Sequence, residues 1–258
     1  MVQNMRTIHG LYGIVDTTFS PQYSHEELAH LMLLGGCRIL QLRMKNVVPA
    51  KPVTPAKAGV QNLLKMLDSG FRRNDEYNSR NDEDNSRNDK MDSQIFEAAK
   101  KIMAFKKKFD FTFIVNDFVE IAGEVGADGV HVGTSDTPVA EARRLLGPNK
   151  IIGRSSHSYD EALLGEKMGA DYVALGAIFP TKAKGPDHPI RGTKELAEIK
   201  KVIRVPLVAI GGINRNNIDD VLATGVDSVA MITGLTQAQD VVEEVRWYVS
   251  KMSHHSGQ

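Results

Sequence analysis

The chain has almost no cysteine, no excess of charge of either sign and no long apolar run. Cys37 is the only cysteine among 258 residues, so an internal disulfide is excluded and a metal site built from cysteines is not expected. The net charge is zero, which does not favour nucleic acid or an anionic membrane as a partner. No run approaches transmembrane length, and the first residues lack the apolar core of a signal peptide. We therefore expect a cytoplasmic protein, and these features leave its oligomeric state open.

One segment, residues 47–92, differs from the rest in composition. Its end reads NDEYNSRNDEDNSRNDKMD, and the unit NSRND occurs at residues 78–82 and again at 85–89. Asn, Asp, Arg and Ser carry too little apolar surface to form a core. The segment is predicted to be a disordered, low-complexity insertion within a single domain that spans residues 1–258.

Outside that segment, short apolar runs alternate regularly with amphipathic ones. This alternation predicts eight strand–helix units around a parallel sheet, and eight such units in this length favour a closed (β/α)₈, or TIM, barrel. The predicted strands are residues 11–16, 38–42, 111–116, 129–132, 151–153, 172–176, 206–210 and 228–232. The predicted helices are residues 25–34, 93–107, 118–125, 139–146, 159–168, 194–202, 215–223 and 237–251.

A Gly-x-Asp phrase precedes three of these strands, at residues 126–128, 169–171 and 225–227. Glycine is the preferred residue just past the end of a helix. The phrase is therefore interpreted as a repeated helix-to-strand junction with no chemical role.

Polar groups follow nearly every predicted strand, at the barrel end where enzymes of this fold carry their active sites. At the carboxyl end of strand two, Gln41, Arg43 and Lys45 alternate with apolar residues and so project to one side. Two cations and an amide on one face suit a phosphate or a pyrophosphate. A solvated strand end is the alternative interpretation.

Two carboxylates follow the next two strands. Asp117 and Asp136 can converge on one Mg²⁺, which typically takes one or two protein carboxylates together with phosphate oxygens of the substrate. The alternative is that each of them caps the helix that follows.

Further candidates follow strands five to eight. Ser155 and His157 lie after strand five, where the serine can hold phosphate and the histidine is either an acid–base group or a rim residue. The loop that contains Thr181 and Lys184 is predicted to bind an anion. Glycine-containing loops after strands seven and eight favour a phosphate site that backbone amides form near a helix N-terminus.

Together these motifs resemble those of the thiamine-phosphate synthase family. The motifs are Gln41-Leu42-Arg43-x-Lys45, Val115-Asn116-Asp117, His131-Val132-Gly133 with Asp136, Pro180-Thr181-x-x-Lys184 and Ala209-Ile210-Gly211-Gly212-Ile213. The resemblance covers about residues 10–45 and 94–250. It implies that a hydroxymethylpyrimidine diphosphate is joined to a thiazole phosphate, with departure of pyrophosphate before the thiazole nitrogen captures a pyrimidine-methyl cation.

The resemblance also implies a role for each matching position. The residues that would hold the pyrimidine diphosphate are Gln41, Arg43, Lys45 and Asn116. Those that would bind Mg²⁺ are Asp117 and Asp136, and those that would contact the pyrophosphate are Ser155 and Lys184. The thiazole phosphate would be held by Thr181, Gly212, Ile232 and Thr233. Catalysis would then rest on stabilisation of the leaving group by Arg43, Lys45, Ser155 and Lys184.

Several positions depart from the family pattern. Phe118 replaces an arginine, Ala183 a hydroxyl residue, Met44 an acidic residue and Thr134-Ser135 the usual Gln-Glu. The phrase Gly-Arg-Ser-x-His-Ser at residues 153–158 also resembles that of related thiazole tautomerases, in which His157 would transfer the proton. A barrel that binds a phosphorylated ligand without catalysis is a third alternative.

Overall fold

The chain forms a closed barrel of eight parallel strands. The computed structural model describes residues 8–44, 82–181 and 189–255, with the backbone alone for residues 82–90 and 255. Every neighbouring pair of strands is parallel, and β1 closes the barrel against β8. The strands are β1 Gly10–Val15, β2 Ile39–Leu42, β3 Thr112–Asn116, β4 Gly129–Val132, β5 Ile151–Ser156, β6 Tyr172–Gly176, β7 Leu207–Ile210 and β8 Ser228–Met231.

Helices follow the strands and surround the barrel, as the alternating pattern predicts. In chain order they are α1 His25–Leu34, α2 Asp82–Ala104, α3 Val119–Glu124, α4 Val139–Leu146, α5 Tyr159–Lys167, α6 Gly192–Lys200, α7 Ile218–Leu222, α8 Thr233–Thr236 and α9 Val241–His255. The 3₁₀ turns are Thr17–Phe19 and Phe105–Lys107. No helix among the described residues is both long and apolar enough to cross a membrane.

The buried side chains fall into two layers, because alternate residues of each strand point to opposite faces. The larger cluster lies between the strands and the helices. The smaller cluster fills the barrel interior and is built around Tyr12 and Tyr172, together with Ile14, Ile114 and Val208. This inner layer forms the floor beneath the carboxyl ends of the strands.

The three Gly-x-Asp junctions share one contact pattern at the opposite end of the barrel. Their glycines have φ values of 72°, 86° and 76°, which residues with a side chain adopt at a cost. Asp171 Oδ2 accepts hydrogen bonds from the Ile152 amide at 2.6 Å and from Arg143 at 2.5 Å. Asp128 and Asp227 make the same pair of contacts with the backbone of the preceding strand and a lysine of the preceding helical segment. The phrase is therefore structural, as predicted.

Several element boundaries differ from the sequence prediction, and the start of α2 differs most. Helix α2 begins at Asp82 rather than at residue 93, so the end of the predicted insertion is helical. Acidic residues in its first turn suit the positive end of a helix dipole, and the apolar turns that follow are packed in the core. The insertion residues 47–81 lie outside the described part of the chain.

Three further differences concern β5, α7 and α8. Strand β5 continues to Ser156 because Arg154–Ser156 pair with Val173–Leu175 of β6. Helix α7 begins at Ile218 because the side chains of Asn214 and Asn217 hydrogen-bond to backbone amides of the preceding turn. The short helix α8 precedes α9 and has no counterpart in the predicted pattern.

Cys37 is a buried structural thiol, as its apolar neighbours predict. Its Sγ donates to the carbonyl of Ile39 at 3.1 Å. Burial raises the pKa of the thiol to about 11, so the reactive thiolate is scarce at neutral pH.

Candidate active site

A cavity of about 310 Å³ opens at the carboxyl ends of the strands. Its floor is the inner apolar layer of the barrel, and its walls carry the polar residues that follow the strands. All of the predicted site residues in the described ranges line it: Gln41, Arg43, Asn116, Asp117, Asp136, Ser155, His157, Thr181, Gly212, Ile232 and Thr233. Barrel closure brings these positions together although they are spread over most of the chain.

Strand β2 positions an amide and a guanidinium on the cavity wall. Gln41 is buried and donates through Nε2 to the Tyr12 hydroxyl at 2.8 Å. Arg43 forms an ion pair with Asp16 at the end of β1, and the Asp16 side chain is 1% exposed. The other oxygen of Asp16 accepts from the Thr18 amide at 2.9 Å. Arg43 is therefore held in one orientation at the cavity, and Asp16 offsets its charge.

The two predicted metal ligands come from the loops after β3 and β4. Asp117 has a φ of 66°, its amide donates to the His131 carbonyl at 2.8 Å, and its Oδ2 accepts from Asn116 at 2.5 Å. Asp136 Oδ2 accepts from the Gly133 amide at 2.8 Å. The helices that follow have Phe118 and Pro138 at their N-cap positions, without side-chain caps. Neither aspartate is therefore the N-cap residue that the alternative interpretation required.

This pair of carboxylates fits Mg²⁺. Both side chains line one cavity, and hard carboxylate oxygens are the donors that Mg²⁺ prefers. Within the described ranges, no three His, Cys, Asp or Glu side chains form a metal-binding group. A cation held by Asp117 and Asp136 would take its remaining ligands from substrate and water, as is usual for Mg²⁺ bound together with a phosphate.

A row of polar side chains crosses the barrel at the floor of the cavity, which Tyr12, His131 and Tyr172 also line. The Tyr12 and Tyr172 hydroxyls lie 2.8 Å apart. His131 contacts the Tyr172 hydroxyl through Nδ1 at 2.9 Å and the Ser155 hydroxyl through Nε2 at 2.9 Å. The His131 and Tyr172 rings are also stacked, with centroids 5.5 Å apart. Ser155 is thus connected through His131 to the barrel interior.

The loops after β7 and β8 form the side of the cavity where a phosphate was predicted. A Cβ on Gly212 would lie 2.5 Å from the Pro180 carbonyl oxygen, and its φ of 68° also favours glycine. Gly212 therefore lets this loop pack closely on the loop that leads to Thr181. Helix α8 begins at Thr233, directly after Ile232, and the amides of a first helical turn favour anions.

His157 lies at the same cavity with one ring nitrogen committed to the backbone. Its Nδ1 is 3.0 Å from the Gly176 carbonyl, so this nitrogen must carry a proton and donate. The His157 amide donates to Glu161 at 2.7 Å. The ring therefore links the ends of β5 and β6, and its second nitrogen is the one that could transfer a proton.

Not every predicted residue lies in the described part of the chain, and the sequence does not predict every contact of the site. Lys45 and Lys184 lie outside the described residues, as does Ala183. Phe118 is partly buried and packs against the outer core. At this position the chain therefore has an aromatic ring that contributes to packing, whereas the family pattern has an arginine. The sequence pattern predicts Asp16, Tyr12 and Tyr172 as strand residues and gives them no role in the site. A buried aspartate directly after a strand is a recognisable signal, whereas the pairing of the tyrosines is not local.

Comparison with known proteins agrees with the predicted family. A model of the thiamine monophosphate synthase family matches residues 83–235. A thiamine-phosphate synthase from Halalkalibacterium halodurans is 40% identical over 231 residues, which cover 90% of this chain and 89% of that protein. One from Methanospirillum hungatei is 33% identical and covers 95% and 98%, respectively. The structure of a thiamine phosphate pyrophosphorylase from Pyrococcus furiosus superposes with a TM-score of 0.71 at 32% identity, over 96% of this chain and 99% of that one.

Proposed function

Because this chain belongs to the thiamine monophosphate synthase family, we propose that its barrel joins hydroxymethylpyrimidine diphosphate to a thiazole phosphate, with release of pyrophosphate. The protein is accordingly a transferase of thiamine biosynthesis. The observation that carries the proposal is the cavity, where the described motif residues of this family meet. Its substrates would be two phosphorylated small molecules.

The diphosphate would lie between strand β2 and the two aspartates. Arg43 can donate two parallel hydrogen bonds to phosphate oxygens, and Asp16 holds its guanidinium beside the cavity. Lys45 would add a second cation, and Asn116 an amide. Mg²⁺ bound by Asp117 and Asp136 would offset the negative charge of the diphosphate and of the departing pyrophosphate.

Departure of pyrophosphate leaves a cation on the pyrimidine methyl carbon, so the site must stabilise an anion and keep water away from a cation. Ser155 would donate a hydrogen bond to the leaving oxygen, and Lys184 would add positive charge. Donors already in place before the reaction stabilise developing charge without reorganisation. The apolar floor formed by Ile14, Ala174 and Val208 would exclude water that could otherwise capture the cation.

The thiazole phosphate would bind on the opposite side of the cavity. Its phosphate would meet the backbone at Gly212 and at Ile232 and Thr233, beside the first turn of α8, with Thr181 as a hydroxyl donor. This placement would face the thiazole nitrogen toward the pyrimidine methyl carbon. Holding both partners in one cavity turns capture of the cation into an intramolecular step.

The test is formation of thiamine phosphate from the two substrates with and without Mg²⁺. We expect Mg²⁺-dependent product from the wild type and a loss of at least about 100-fold in the Asp117→Ala and Asp136→Ala variants. Asp219→Ala is the matched control, because Asp219 pairs with Lys251 on the surface. Undiminished turnover in both site variants would refute the assignment of the metal ligands.

The tautomerase alternative makes a different prediction for one residue. There His157 would transfer the proton and no metal would be needed. His157→Ala should then stop proton exchange on a thiazole carboxylate phosphate, whereas the synthase reaction uses no base at this position. Proton exchange without formation of thiamine phosphate would refute the synthase function and support the tautomerase function. A barrel without catalytic activity would bind the phosphorylated thiazole but catalyse neither proton exchange nor formation of thiamine phosphate.

A further inference from the structure

Five buried or half-buried side chains form one continuous hydrogen-bonded chain across the barrel interior. It connects two predicted substrate contacts, Gln41 of β2 and Ser155 of β5, through three residues to which the family resemblance assigns no role. In order, the members are Gln41, Tyr12, Tyr172, His131 and Ser155, with successive distances of 2.8, 2.8, 2.9 and 2.9 Å.

Both phenols in this chain keep their protons. Burial raises the pKa of Tyr12 above its ordinary value, and burial likewise raises that of Tyr172. Each hydroxyl can therefore donate one hydrogen bond and accept others. A neutral donor–acceptor chain is required here, because an unpaired charge at this depth would be strongly unfavourable.

The barrel provides space for the Tyr172 ring at a specific place. A Cβ on Gly153 of β5 would lie 2.0 Å from the Tyr172 ring, so any side chain at that position would displace the phenol. The glycine thus allows the ring to cross over β5 and to place its hydroxyl between Tyr12 and His131.

The protons of these groups define the direction of the chain. Gln41 Nε2 can only donate, so Tyr12 accepts from it and sends its own proton to the one other polar partner that the described residues offer it, Tyr172. Tyr172 then donates to His131 Nδ1. A neutral imidazole that accepts at Nδ1 carries its proton on Nε2, and this N–H donates to Ser155.

We propose that this chain is a directional hydrogen-bond relay, in which Tyr12, Tyr172 and His131 are positioning residues for both ends of the pyrimidine substrate. At one end Gln41 donates through Nε2 to Tyr12, so its carbonyl oxygen is presented to a hydrogen-bond donor of the substrate. At the other end Ser155 accepts from His131, so its own proton is directed into the cavity toward the leaving oxyanion. This assignment rests on the proposed synthase function.

The opposite direction would present the wrong group to the leaving anion. It requires Gln41 to rotate its amide, so that the oxygen faces Tyr12 and the NH₂ faces the cavity. Ser155 would then donate to His131 and offer a lone pair to an anionic leaving group. Only the first direction points a hydroxyl proton at a departing anion, and only one proton position on His131 is compatible with it.

The direction of the hydrogen bonds can be determined by NMR, from the ¹⁵N and ¹H resonances of the imidazole rings, without any measurement of catalysis. We expect His131 to be the Nε2–H tautomer, assigned by comparison with His131→Gln. His157 is the internal control, because its contact with the Gly176 carbonyl requires the Nδ1–H form. In Tyr172→Phe the His131 signal should shift toward a mixture of tautomers. An Nδ1–H tautomer for His131 in the wild type would overturn the relay.

The positioning role is tested by single-turnover kinetics, which separate the reaction from product release. Tyr172→Phe should lower the rate constant about tenfold, with affinity for the pyrimidine diphosphate changed by less than about threefold. Tyr12→Phe should instead weaken that affinity about tenfold, because Gln41 loses its partner. Tyr248→Phe is the matched control, since Tyr248 is also buried but lies on α9 outside the cavity.

The outcomes separate the relay from the function on which it rests. If Tyr172→Phe reacts at the wild-type rate, the positioning role is wrong, whatever the tautomer of His131. If both tyrosine variants lose rate and affinity equally, the effect is structural and the relay is also refuted. If the wild type itself forms no product, the synthase function fails, and the tautomer of His131 still decides the direction of the chain.

Discussion

At the scale of single residues, the site depends on groups that hold other groups in place. Asp16 does not line the cavity itself but fixes Arg43, which does, and its two oxygens accept from two different donors. Gly133 acts through its lack of a side chain, since a Cβ there would lie 2.5 Å from Asp136 Oδ2. Small changes at such positions should alter binding without dismantling the barrel.

Asp16→Asn should weaken binding of the pyrimidine diphosphate. An asparagine has one acceptor oxygen, so it can serve Thr18 or Arg43 but not both, and its NH₂ would then face a donor. We expect KM for the diphosphate to rise about tenfold and the free energy of unfolding to fall by about 1–3 kcal/mol. Steady-state kinetics and urea unfolding measure the two effects, and Asp219→Asn should show neither. An unchanged KM would mean that Arg43 does not need its partner.

Gly133→Ala should displace the carboxylate of Asp136. The added methyl group occupies the position that the carboxylate now takes beside the Gly133 amide. The Mg²⁺ concentration for half-maximal activity should therefore rise about tenfold or more, as losses of supporting contacts around metal ligands typically do. A Mg²⁺ titration of the activity measures this.

The control for this variant is Gly123→Ala in helix α3. There the new methyl group meets only the end of the Leu146 side chain, at 3.3 Å, and alanine is the better helix former. It should leave the Mg²⁺ requirement unchanged. Equal Mg²⁺ titrations for the wild type and Gly133→Ala would show that Asp136 does not bind the metal in its present position.

At the scale of elements, the two ends of the barrel have different roles. The carboxyl ends of the strands carry the cavity, whereas the amino ends carry the repeated Gly-x-Asp junctions. Each junction aspartate fastens a strand to its predecessor and to a helical cation. Because this end is remote from the cavity, its contacts should affect stability alone.

Asp171→Ala and Asp227→Ala should lower the free energy of unfolding by similar amounts, about 1–3 kcal/mol each. Most of the loss comes from the strand amide, since the cations involved are partly exposed and surface ion pairs contribute little. For a chain of this size the melting temperature should fall a few degrees per variant. Thermal unfolding and kcat of the folded protein are the two measurements. A large drop in kcat with an unchanged melting temperature would contradict the division between the two ends.

At the scale of the whole molecule, the described barrel is complete without residues 47–81. Strands β2 and β3 pair directly, and α2 contributes Ile95, Ala99 and Ile102 to the core. The strand pairing and the core packing of the described residues are therefore continuous on both sides of residues 47–81, which follow the carboxyl end of β2 in the chain.

Replacement of residues 47–81 by a Gly/Ser linker of about ten residues should leave the barrel folded and active. A shorter connection lowers the entropy lost on folding, so the melting temperature should stay equal or rise slightly. We expect turnover within about twofold of the wild type. Loss of turnover at an unchanged melting temperature would show that the segment takes part in the site.

Much of the site could be located from sequence because the fold places function at strand ends. Once the alternation had defined the strands, the residues after each one could be read directly, and Gln41, Asp117, Asp136 and Ser155 all line the cavity. The resemblance assigned them roles, and those roles stay predictions. The sequence pattern makes Asp16 the last residue of a strand, whereas its ion pair with Arg43 depends on the pairing of β1 with β2 rather than on any motif.

The sequence alone determined the fold class, the order of the strands and the residues at their carboxyl ends, because these depend on local periodicity and on the short-range signals that end helices. Tertiary structure alone decided which side chains meet inside the barrel. Tyr12 and Tyr172 are 160 residues apart in the chain, and no local pattern pairs them. Their contact exists because the sheet closes and directs alternate residues of opposite strands to a common axis. The same closure brings His131 to Ser155, so the hydrogen-bonded chain at the cavity floor is a property of the barrel as a whole.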